Sequence, residues 1–313
     1  MGLVQFLANF GRRAASASGR WNYSRTLGQR KLARIVDRLE REGLLVSDAP
    51  TLTDPVSQMC TAKQFDEPQY EQWCKAMGTG KHLHRKQWEF VFILESLHHR
   101  GVLKENARGL GFGVGREPLP AVFASLGCTI TATDLEIEDQ RARAWRNTQQ
   151  HGALENLIHN HICPEARFRE LVSFRPADMT AIADDLRDFD FTWSSCAFEH
   201  LGSIAAGLNF VEASLACLKP GGVAVHTTEF NLISDNQTMD HAATVIFRRR
   251  DFQSLALRLH DQGHEVAPLN FEPGDEPLDR HIDVPPYSSN QHLKLALGKY
   301  VSSSFGIVVK KAG

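Results

Sequence analysis

The sequence has no strong excess of charge of one sign. Among its 313 residues, 35 Lys and Arg stand against 37 Asp and Glu, which gives a net charge of −2 and a pI near 6.7. The longest basic run is Arg248–Arg250, which is typical of a solvated helix start. Because binding of nucleic-acid phosphates needs a concentrated basic face, we expect no nucleic-acid partner.

The sequence also lacks paired cysteine motifs. Its six cysteines are irregularly spaced and form no Cys-x-x-Cys pair. A chain of this length buries enough apolar surface to fold without disulfides. We therefore expect reduced thiols and a cytoplasmic protein.

No apolar run reaches the length of a membrane span, so we expect no membrane partner. An apolar piece, Leu3–Phe10, precedes Arg12 and Arg13, whereas a secretory signal places its basic residues first. Up to Arg25, Arg, Ser and Ala are frequent and acids are absent. This composition leaves two interpretations open, an amphipathic N-terminal helix and a mitochondrial presequence.

Residues 1–100 have the pattern of helices joined by loops. Apolar residues recur at helical spacing from Gln29 to Val46, and a second helical pattern covers Trp88–Leu97. Residues 47–68 are rich in Pro, Ser, Thr and Asp, as connectors are. The sequence therefore predicts an N-terminal helical cap or lid, without a sheet of its own, ahead of a core over residues 101–313.

After Gly101, short apolar runs alternate with helical patterns, which indicates an α/β core with a mostly parallel sheet. The predicted strands are 107–112, 128–133, 171–176, 189–194, 222–228, 264–269 and 304–310. The predicted helices are 117–126, 138–151, 181–187, 203–218 and 250–262. A proline-rich insertion loop, 271–300, precedes the last strand, and loops of this length in compact domains are usually functional.

A glycine-rich turn follows the first predicted core strand, with glycines at 109, 111, 113 and 115. Alternating glycines at a strand-to-helix turn let a ligand approach the backbone and aim N–H groups at it. The Gly-x-Gly-x-x-Gly dinucleotide fingerprint fails in every register, and no Gly-Lys-Ser/Thr follows for a P-loop. A tight turn without a ligand remains the alternative at this point.

The second predicted strand ends in an acid, Asp134, nineteen residues after Gly115. An acid at this position can accept hydrogen bonds from both hydroxyls of a ribose. We count Leu135, the next residue, with it as part of a binding site. The alternative is a solvent-exposed aspartate at a strand end.

Further motifs follow the glycine turn and Asp134 in order: Ala177-Asp178-Met179, the strand Phe189–Ser195, and Leu218-Lys219-Pro220-Gly221-Gly222 before a strand. Together, these ordered motifs resemble those of class I (Rossmann-like) S-adenosylmethionine-dependent methyltransferases. The resemblance covers about residues 105–230. It implies a Rossmann-like seven-stranded sheet, mostly parallel with an antiparallel last strand, and S-adenosylmethionine as cofactor, with S-adenosylhomocysteine as product.

The resemblance also implies roles for individual residues. Gly111, Gly113 and Gly115 approach the methionine and sugar part of the cofactor, and Asp134 binds its ribose. Asp178 accepts from the adenine amino group, with Met179 nearby, and Ser194 and Ser195 lie near the methionine moiety.

One position departs from the family pattern. The family usually has an acid two residues before the first motif glycine, where this sequence has Gly109. Glu117, from the following helix start, is the candidate to replace it. The departure leaves a non-catalytic relative open.

Three residues are catalytic candidates. In this family the sulfonium supplies the reactivity, and the protein aligns the acceptor. A hydroxyl acceptor also needs a base, for which we consider His200 after the fourth strand, Glu229 near the end of the fifth, and His281 in the insertion loop. We predict no metal site, because His281 with Asp283 gives too few ligands and His82-x-His84 is more typical of a surface.

The leading functional hypothesis is an enzyme that methylates a small molecule or sugar-type acceptor, at oxygen. The alternatives are N-methylation and a cofactor-binding scaffold without activity. The Asn/Asp-Pro-Pro-Tyr motif of amino methyltransferases is missing after the fourth strand, where Ser194-Ser195-Cys196-Ala197 stands. The insertion loop and the N-terminal helices are the expected acceptor site.

Overall fold

A computed structural model of the chain describes residues 27–136, 139 and 152–313. The helices in these residues are α1 (Leu27–Arg41), α2 (Pro68–Ala76), α3 (Arg85–His99), α4 (Leu119–Ser125), α5 (Glu165–Leu171), α6 (Ile204–Ser214), α7 (Arg249–Asp261) and α8 (Pro277–Arg280). The strands are β1 (Leu45–Val46), β2 (Ser57–Gln58), β3 (Arg108–Phe112), β4 (Thr129–Asp134), β5 (Val172–Pro176), β6 (Phe189–Ser195), β7 (Leu218–Asn231), β8 (Glu265–Val266), β9 (Leu269–Asn270), β10 (Leu295–Leu297) and β11 (Tyr300–Lys310).

The main sheet has the predicted Rossmann-like architecture. Its strand order is β10-β11-β7-β6-β3-β4-β5, and the short β8 pairs with β11 beside this path. The five strands from β7 to β5 run parallel, whereas the last strand, β11, is antiparallel to β7. The prediction of a seven-stranded, mostly parallel sheet with an antiparallel last strand is therefore confirmed, with β8 as a short addition.

The pair β7–β11 is the longest in the sheet. Nine residue pairs join the two strands, from Asn231↔Ser302 to Val223↔Lys310. Both strands are buried along almost their whole length, because helices cover the sheet on both faces. The predicted strand 222–228 thus lies inside a longer β7.

Helix α3 is buried on nearly all sides, unlike an ordinary surface helix. It packs against β6, β7 and β11, and Trp88 stacks on Phe92 with ring centroids 4.9 Å apart. The helix extends beyond the predicted Trp88–Leu97 at both ends. Its first two residues, Arg85 and Lys86, bind partners inside the protein.

A second, small sheet has the order β1-β9-β2, with parallel pairing. Its outer strands, β1 and β2, come from the first hundred residues, where the sequence predicts helices and loops. Both pair with β9 and not with each other, so they form no sheet of their own. The strands are two residues long, and the central one, β9, comes from the C-terminal part of the chain. Periodicity over two residues is too short to detect in a sequence.

Some predicted helices differ from the structure. Residues 181–187 form turns, because only Leu186 of this segment is buried and no apolar helix face exists. Helices α2 and α5 were not predicted. The predicted helix 138–151 and the apolar piece Leu3–Phe10 lie outside the described residues, apart from residue 139.

Residues Leu39–Gly313 form one compact unit by their internal contacts, separate from the preceding residues. The boundary near residue 100 between a cap and a core stays a prediction. The insertion loop 271–300 contains α8 and β10. None of the helices in the described residues is long and apolar enough to span a bilayer.

Packing of α3 on the sheet depends on the absence of a side chain at Gly306 in β11. A Cβ atom there would lie 2.0 Å from Cε1 of Phe92, which is fully buried. We expect Gly306→Ala to lower the free energy of unfolding by about 1–3 kcal/mol, the cost of overpacking a core. Urea denaturation measures it, with Gly80→Ala as control, because a Cβ at Gly80 meets no atom within 4 Å. Equal stability of the two variants would contradict this packing.

Candidate functional site

A cavity opens at the carboxyl edge of the main sheet, between the loops that follow β3 and β6. The chain passes from β3 to β4 on one side and to β6 on the other, and ligands of open α/β sheets bind at such a switch point. The cavity, here called the edge cavity, has a volume of about 380 Å³. It is lined by Gly113, Gly115, Asp134, Leu135, Ala177, Asp178, Met179, Thr180, Cys196, Ala197, His200, Leu201, Gly202 and Ala243.

Two glycines of the turn after β3 line the edge cavity in conformations that favour glycine. Gly113 has φ +59° and Gly115 has φ +53°, a region that other residues rarely adopt. A Cβ at Gly113 would lie 2.8 Å from Cβ of Ala197. The turn therefore brings bare backbone to the cavity wall.

Gly109 and Gly111 have a different role, inside β3. A Cβ at Gly111 would lie 2.3 Å from Cζ2 of Trp193, and one at Gly109 would lie 2.4 Å from Cε2 of Phe191. Aromatic rings of β6 occupy the space in which these side chains would stand. Packing thus explains why no acid stands at position 109, and it places Gly111 in the core, away from the cavity lining.

Asp134 ends β4 at the cavity wall. Its Oδ2 accepts hydrogen bonds from the N–H of Gly115 at 3.3 Å and of Gly152 at 2.8 Å, and its Oδ1 accepts from Leu135 N at 2.8 Å. An ionised carboxylate has about four acceptor positions, so the carboxylate keeps capacity for a ligand. Gly152 is a residue that sequence reasoning missed, since it belongs to no motif.

Asp178 and Met179 line the same cavity, after β5. Oδ1 of Asp178 accepts hydrogen bonds from the N–H and the hydroxyl of Thr180, at 2.8 and 2.7 Å. These contacts orient the carboxylate at the loop. The structure therefore brings together Gly113, Gly115, Asp134, Leu135, Asp178 and Met179 of the predicted cofactor residues.

Glu117 is buried behind the glycine turn rather than in the cavity wall. Trp193 Nε1 donates a hydrogen bond of 2.5 Å to its Oε1. Burial raises the pKa of the Glu117 carboxyl to about 8, against the opposing effect of the Trp193 hydrogen bond. The carboxyl is thus poised to hold a proton near neutral pH.

Ser194 and Ser195 are buried in β6 and also lie outside the cavity lining. The hydroxyl of Ser194 is 2.9 Å from Nδ1 of His226, whose Nε2 is 3.1 Å from the hydroxyl of Ser214. Burial lowers the pKa of His226 to about 3, so this imidazole is neutral. Ser194 therefore belongs to a polar contact between β6, β7 and α6.

A buried polar cluster lies at the ends of β6, β7 and β11 and is centred on Glu89 of α3. We call it the Glu89 cluster. The carboxylate of Glu89 accepts from Arg85 at 3.2 Å and Lys86 at 3.2 Å. It also accepts from Ser195, Cys196, Thr227 and Ser304 at 2.5–3.4 Å. The full set is Arg85, Lys86, Glu89, Ser195, Cys196, Thr227, Glu229 and Ser304.

The charge of Glu89 is stabilised by these partners. Burial alone would raise the pKa of its carboxyl, but Lys86, Arg85 and the hydrogen bonds from Cys196 and Ser304 lower it to about 2. Glu89 is completely inaccessible to solvent. A buried charge persists only when it is paired and hydrogen-bonded, and here each carboxylate oxygen has three donors.

Cys196 joins the Glu89 cluster to the edge cavity. It lines the cavity, and its Sγ donates to Oε1 of Glu89 at 2.9 Å. Burial, with Glu199 and Glu89 nearby, raises the pKa of its thiol, so the thiol stays protonated. Its φ of +47° is a strained conformation for a residue with a side chain, of the kind found at functional sites.

The three catalytic candidates lie in different surroundings. His200 lines the edge cavity, with Nδ1 2.9 Å from the carbonyl oxygen of Ala243. Glu229 is ion-paired with Arg85, and Ser302 donates to its Oε2 at 2.5 Å. His281 is exposed after α8 and is absent from the cavity lining. His292, which the sequence did not single out, is the residue that pairs with Asp283, at 2.5 Å.

The protonation of Glu117 makes stability depend on pH. Its pKa in the folded protein, about 8, exceeds that of an exposed Glu, about 4.3. Between these values the folded state holds a proton that the unfolded state has lost, so stability falls as pH rises. In wild type, we expect the free energy of unfolding to fall by about 1.4 kcal/mol per pH unit between these two pKa values. In Glu117→Gln this fall should be absent. Urea unfolding from pH 5 to 8 measures it, and parallel curves for wild type and variant would contradict the assignment.

The Glu89 cluster should be sensitive to loss of its central carboxylate. Glu89→Ala leaves the cations of Arg85 and Lys86 without their shared buried partner, which costs about 3–5 kcal/mol. Glu71→Ala is the matched control, because Glu71 forms an exposed pair with Lys75 that contributes less than about 1 kcal/mol. Chemical denaturation compares the two, and similar losses would show that Glu89 is no organising centre.

Comparisons with known proteins concern the fold. No protein-family model matches the sequence, and no curated protein does. A 1,6-didemethyltoxoflavin-N1-methyltransferase of Burkholderia thailandensis is similar in structure, with 16% identity over 85% of this chain and 93% of that chain and a TM-score of 0.41. An S-adenosylmethionine-dependent methyltransferase of Clostridium acetobutylicum is also similar, with 14% identity over 73% of this chain and 92% of that chain and a TM-score of 0.39.

A phosphoethanolamine N-methyltransferase of Haemonchus contortus is also similar, with 17% identity over 66% of this chain and 43% of that chain and a TM-score of 0.38. The mostly parallel main sheet and its antiparallel β11 are those that the resemblance of the sequence motifs implies. The chain thus has a Rossmann-like α/β fold with an antiparallel last strand, the fold that the resemblance of its motifs to class I S-adenosylmethionine-dependent methyltransferases implies.

Proposed function

We propose that the protein is an S-adenosylmethionine-dependent methyltransferase that methylates a hydroxyl of a small-molecule or sugar-type acceptor. One observation carries the proposal: the edge cavity gathers six of the residues that the family motifs single out. Its volume of about 380 Å³ lies in the range of small-molecule sites. S-Adenosylmethionine would supply a methyl group on a sulfonium.

The residues of the cavity wall fit the parts of this cofactor. Gly113 and Gly115 line the cavity without a side chain, so a ligand can approach their backbone closely. Asp134 would accept from the ribose hydroxyls, and Asp178 from the adenine amino group, beside Met179. Gly111, Ser194 and Ser195 would support this site through packing. Glu117 would contribute to the cofactor site from behind the glycine turn, since it does not line the cavity.

His200 is the preferred candidate for the base. A carbonyl oxygen can only accept, so the contact of Nδ1 with Ala243 O fixes the proton of the neutral ring on Nδ1. Nε2 then has the lone pair that removes a proton from an acceptor hydroxyl. Glu229 is a weaker candidate because Arg85 and Ser302 already bind its oxygens. His281 is remote from the cavity lining.

The acceptor would approach from the side of Cys196 and the Glu89 cluster. The insertion loop borders this region, because His292 of the loop exchanges backbone hydrogen bonds with Leu83 and Arg85, at 2.8 and 3.0 Å, at the start of α3. Loop and N-terminal segment together would cover the methyl group and exclude water. This is the lid role that the sequence predicts for the first hundred residues.

Cofactor binding is tested first. We expect Asp134→Ala to weaken binding of S-adenosylhomocysteine at least tenfold, since a hydrogen bond to a charged group contributes about 1.5–3 kcal/mol. Asp134→Asn keeps the size of the side chain and should lose affinity as well. Asp184→Ala, with a side chain 98% exposed, is the control. Calorimetric titration measures all four proteins, and unaltered affinity in the Asp134 variants would contradict the ribose role.

A transfer assay separates the enzyme from a scaffold. With labelled S-adenosylmethionine and a panel of hydroxylated small molecules and sugars, wild type should transfer label to oxygen. His200→Asn should bind S-adenosylhomocysteine normally and transfer at least about 100-fold more slowly, the effect of losing a general base. Binding without transfer to any acceptor would favour the scaffold, and label on nitrogen would favour N-methylation.

A further inference from the structure

A second cavity lies beside the start of α3, and the proposed cofactor site does not include it. Its volume is about 510 Å³. Residues between α2 and α3, residues between β4 and α5, and Ser289 of the insertion loop contribute to its wall. We call it the histidine cavity, because its lining includes His82, His84, His159 and His161.

The edge cavity leaves little room for an acceptor. In the proposed function, its volume of about 380 Å³ would hold the adenine, ribose and methionine parts of the cofactor. The acceptor then needs a neighbouring compartment. The N-terminal segment and the insertion loop, which we expect to form the acceptor site, both line the histidine cavity.

The two cavities are neighbours. Gly115 lines the edge cavity and Pro118 lines the histidine cavity, and a step of three residues spans at most about 11 Å. Lys86 connects the cavities on the side of α3. Its Nζ lies 5.4 Å from the ring centroid of Phe90, a lining residue of the histidine cavity, and donates to the carbonyl oxygen of Ser195 at 3.0 Å. The next residue after Ser195 lines the edge cavity.

The lining of the histidine cavity is polar but uncharged. Among the described residues that line it there is no Asp, Glu, Lys or Arg. Burial, with a smaller effect of His292, lowers the pKa of His84 to about 4. Burial and the nearby His161 also lower the pKa of His159. At neutral pH these two rings are neutral, and a neutral imidazole has one donor and one acceptor, as a hydroxyl group also can.

Two of the imidazoles have polar atoms left for a ligand. Nδ1 of His84 accepts from Lys86 N at 3.0 Å, so the ring proton lies on Nε2. Nε2 of His159 is buried and has no hydrogen-bond partner among the described residues, which is rare in native proteins. A ligand hydroxyl in the cavity can supply that partner. Thr79 and Ser289 add hydroxyl groups to the lining.

Apolar side chains complete the wall of the histidine cavity. They are Met77, Phe90, Pro118 and Ile162. A sugar ring presents C–H groups on its faces and hydroxyl groups around its rim, so it matches a wall of this mixed kind. An ion would lack a counter-charge in the lining, and a hydrocarbon chain would leave the imidazoles without partners.

We propose that the histidine cavity binds a neutral sugar unit of the acceptor, next to the unit that receives the methyl group. The acceptor is then an oligosaccharide or glycoside of at least two units. This inference rests on the proposed function, because it assigns the edge cavity to the cofactor. It adds that the enzyme recognises the acceptor through a unit that it does not methylate.

Sugar binding tests the proposal on the whole protein saturated with S-adenosylhomocysteine. The probes are neutral disaccharides, their component monosaccharides, and the same disaccharides oxidised to uronic acids. By calorimetric titration, we expect a neutral disaccharide to bind at least about tenfold more tightly than either component sugar, since a second unit adds several hydrogen bonds. The uronic acids should bind no more tightly than the neutral forms.

Two variants locate the second unit. Ser289→Trp puts a large side chain at the cavity wall, in an exposed part of the insertion loop, and should abolish the preference for the disaccharide. His161→Ala should weaken disaccharide binding about three- to tenfold, as loss of one hydrogen bond does. Val284→Trp is the matched control, because Val284 is exposed in the same loop and lies outside the cavity lining. All three should bind S-adenosylhomocysteine like wild type.

The outcomes separate this proposal from the proposed function. Wild type that binds S-adenosylhomocysteine without preferring any disaccharide would overturn the sugar site and leave the cofactor site intact. A preference that is unchanged in Ser289→Trp and His161→Ala would overturn it as well, and so would tighter binding of the uronic acids. Wild type that does not bind S-adenosylhomocysteine would contradict the proposed function itself, and this inference with it.

Discussion

The functional region depends on the hydrogen bonds and ion pairs that the carboxylate of Glu89 makes. It is inaccessible to solvent and accepts six hydrogen bonds, from Arg85 and Lys86 of its own helix and from side chains of β6, β7 and β11 or the residue after β6. The helix from the N-terminal part of the chain is thereby fixed to the carboxyl edge of the sheet. Removing one partner of such a buried network costs more than the network contributes when complete.

The Glu89 cluster and the edge cavity share Cys196. The strained backbone of this residue turns the chain from β6 toward the cavity wall, and its thiol donates to Glu89. On the other side of the switch point, Gly113 and Gly115 bring backbone to the same wall. In the proposed function, methyl transfer would occur between the glycine backbone of the turn after β3 and Cys196, which the buried Glu89 cluster holds in place.

Much of the core fold was predictable, because β3 to β6 are short segments with apolar residues between helical patterns, and β3, β4 and β5 end near a glycine or an acid. The short strands β1 and β2 were not, since two residues give no periodicity, and the predicted strand 264–269 is divided between β8 and the first residue of β9. In the site, Asp134, Asp178 and Met179 could be placed from order along the chain. Glu89 could not, because its partners are up to 215 residues away and a Glu inside a helix is ordinarily exposed. Likewise, the packing role of Gly111 depends on Trp193 in another strand.

The most direct measurement is a crystal structure of the protein grown with S-adenosylhomocysteine. We expect the ligand in the edge cavity, with its ribose on Asp134, its adenine beside Asp178 and Met179, and its sulfur facing the side of Cys196. Ligand bound elsewhere, or an edge cavity that stays free of it at saturating concentration, would contradict the proposed function.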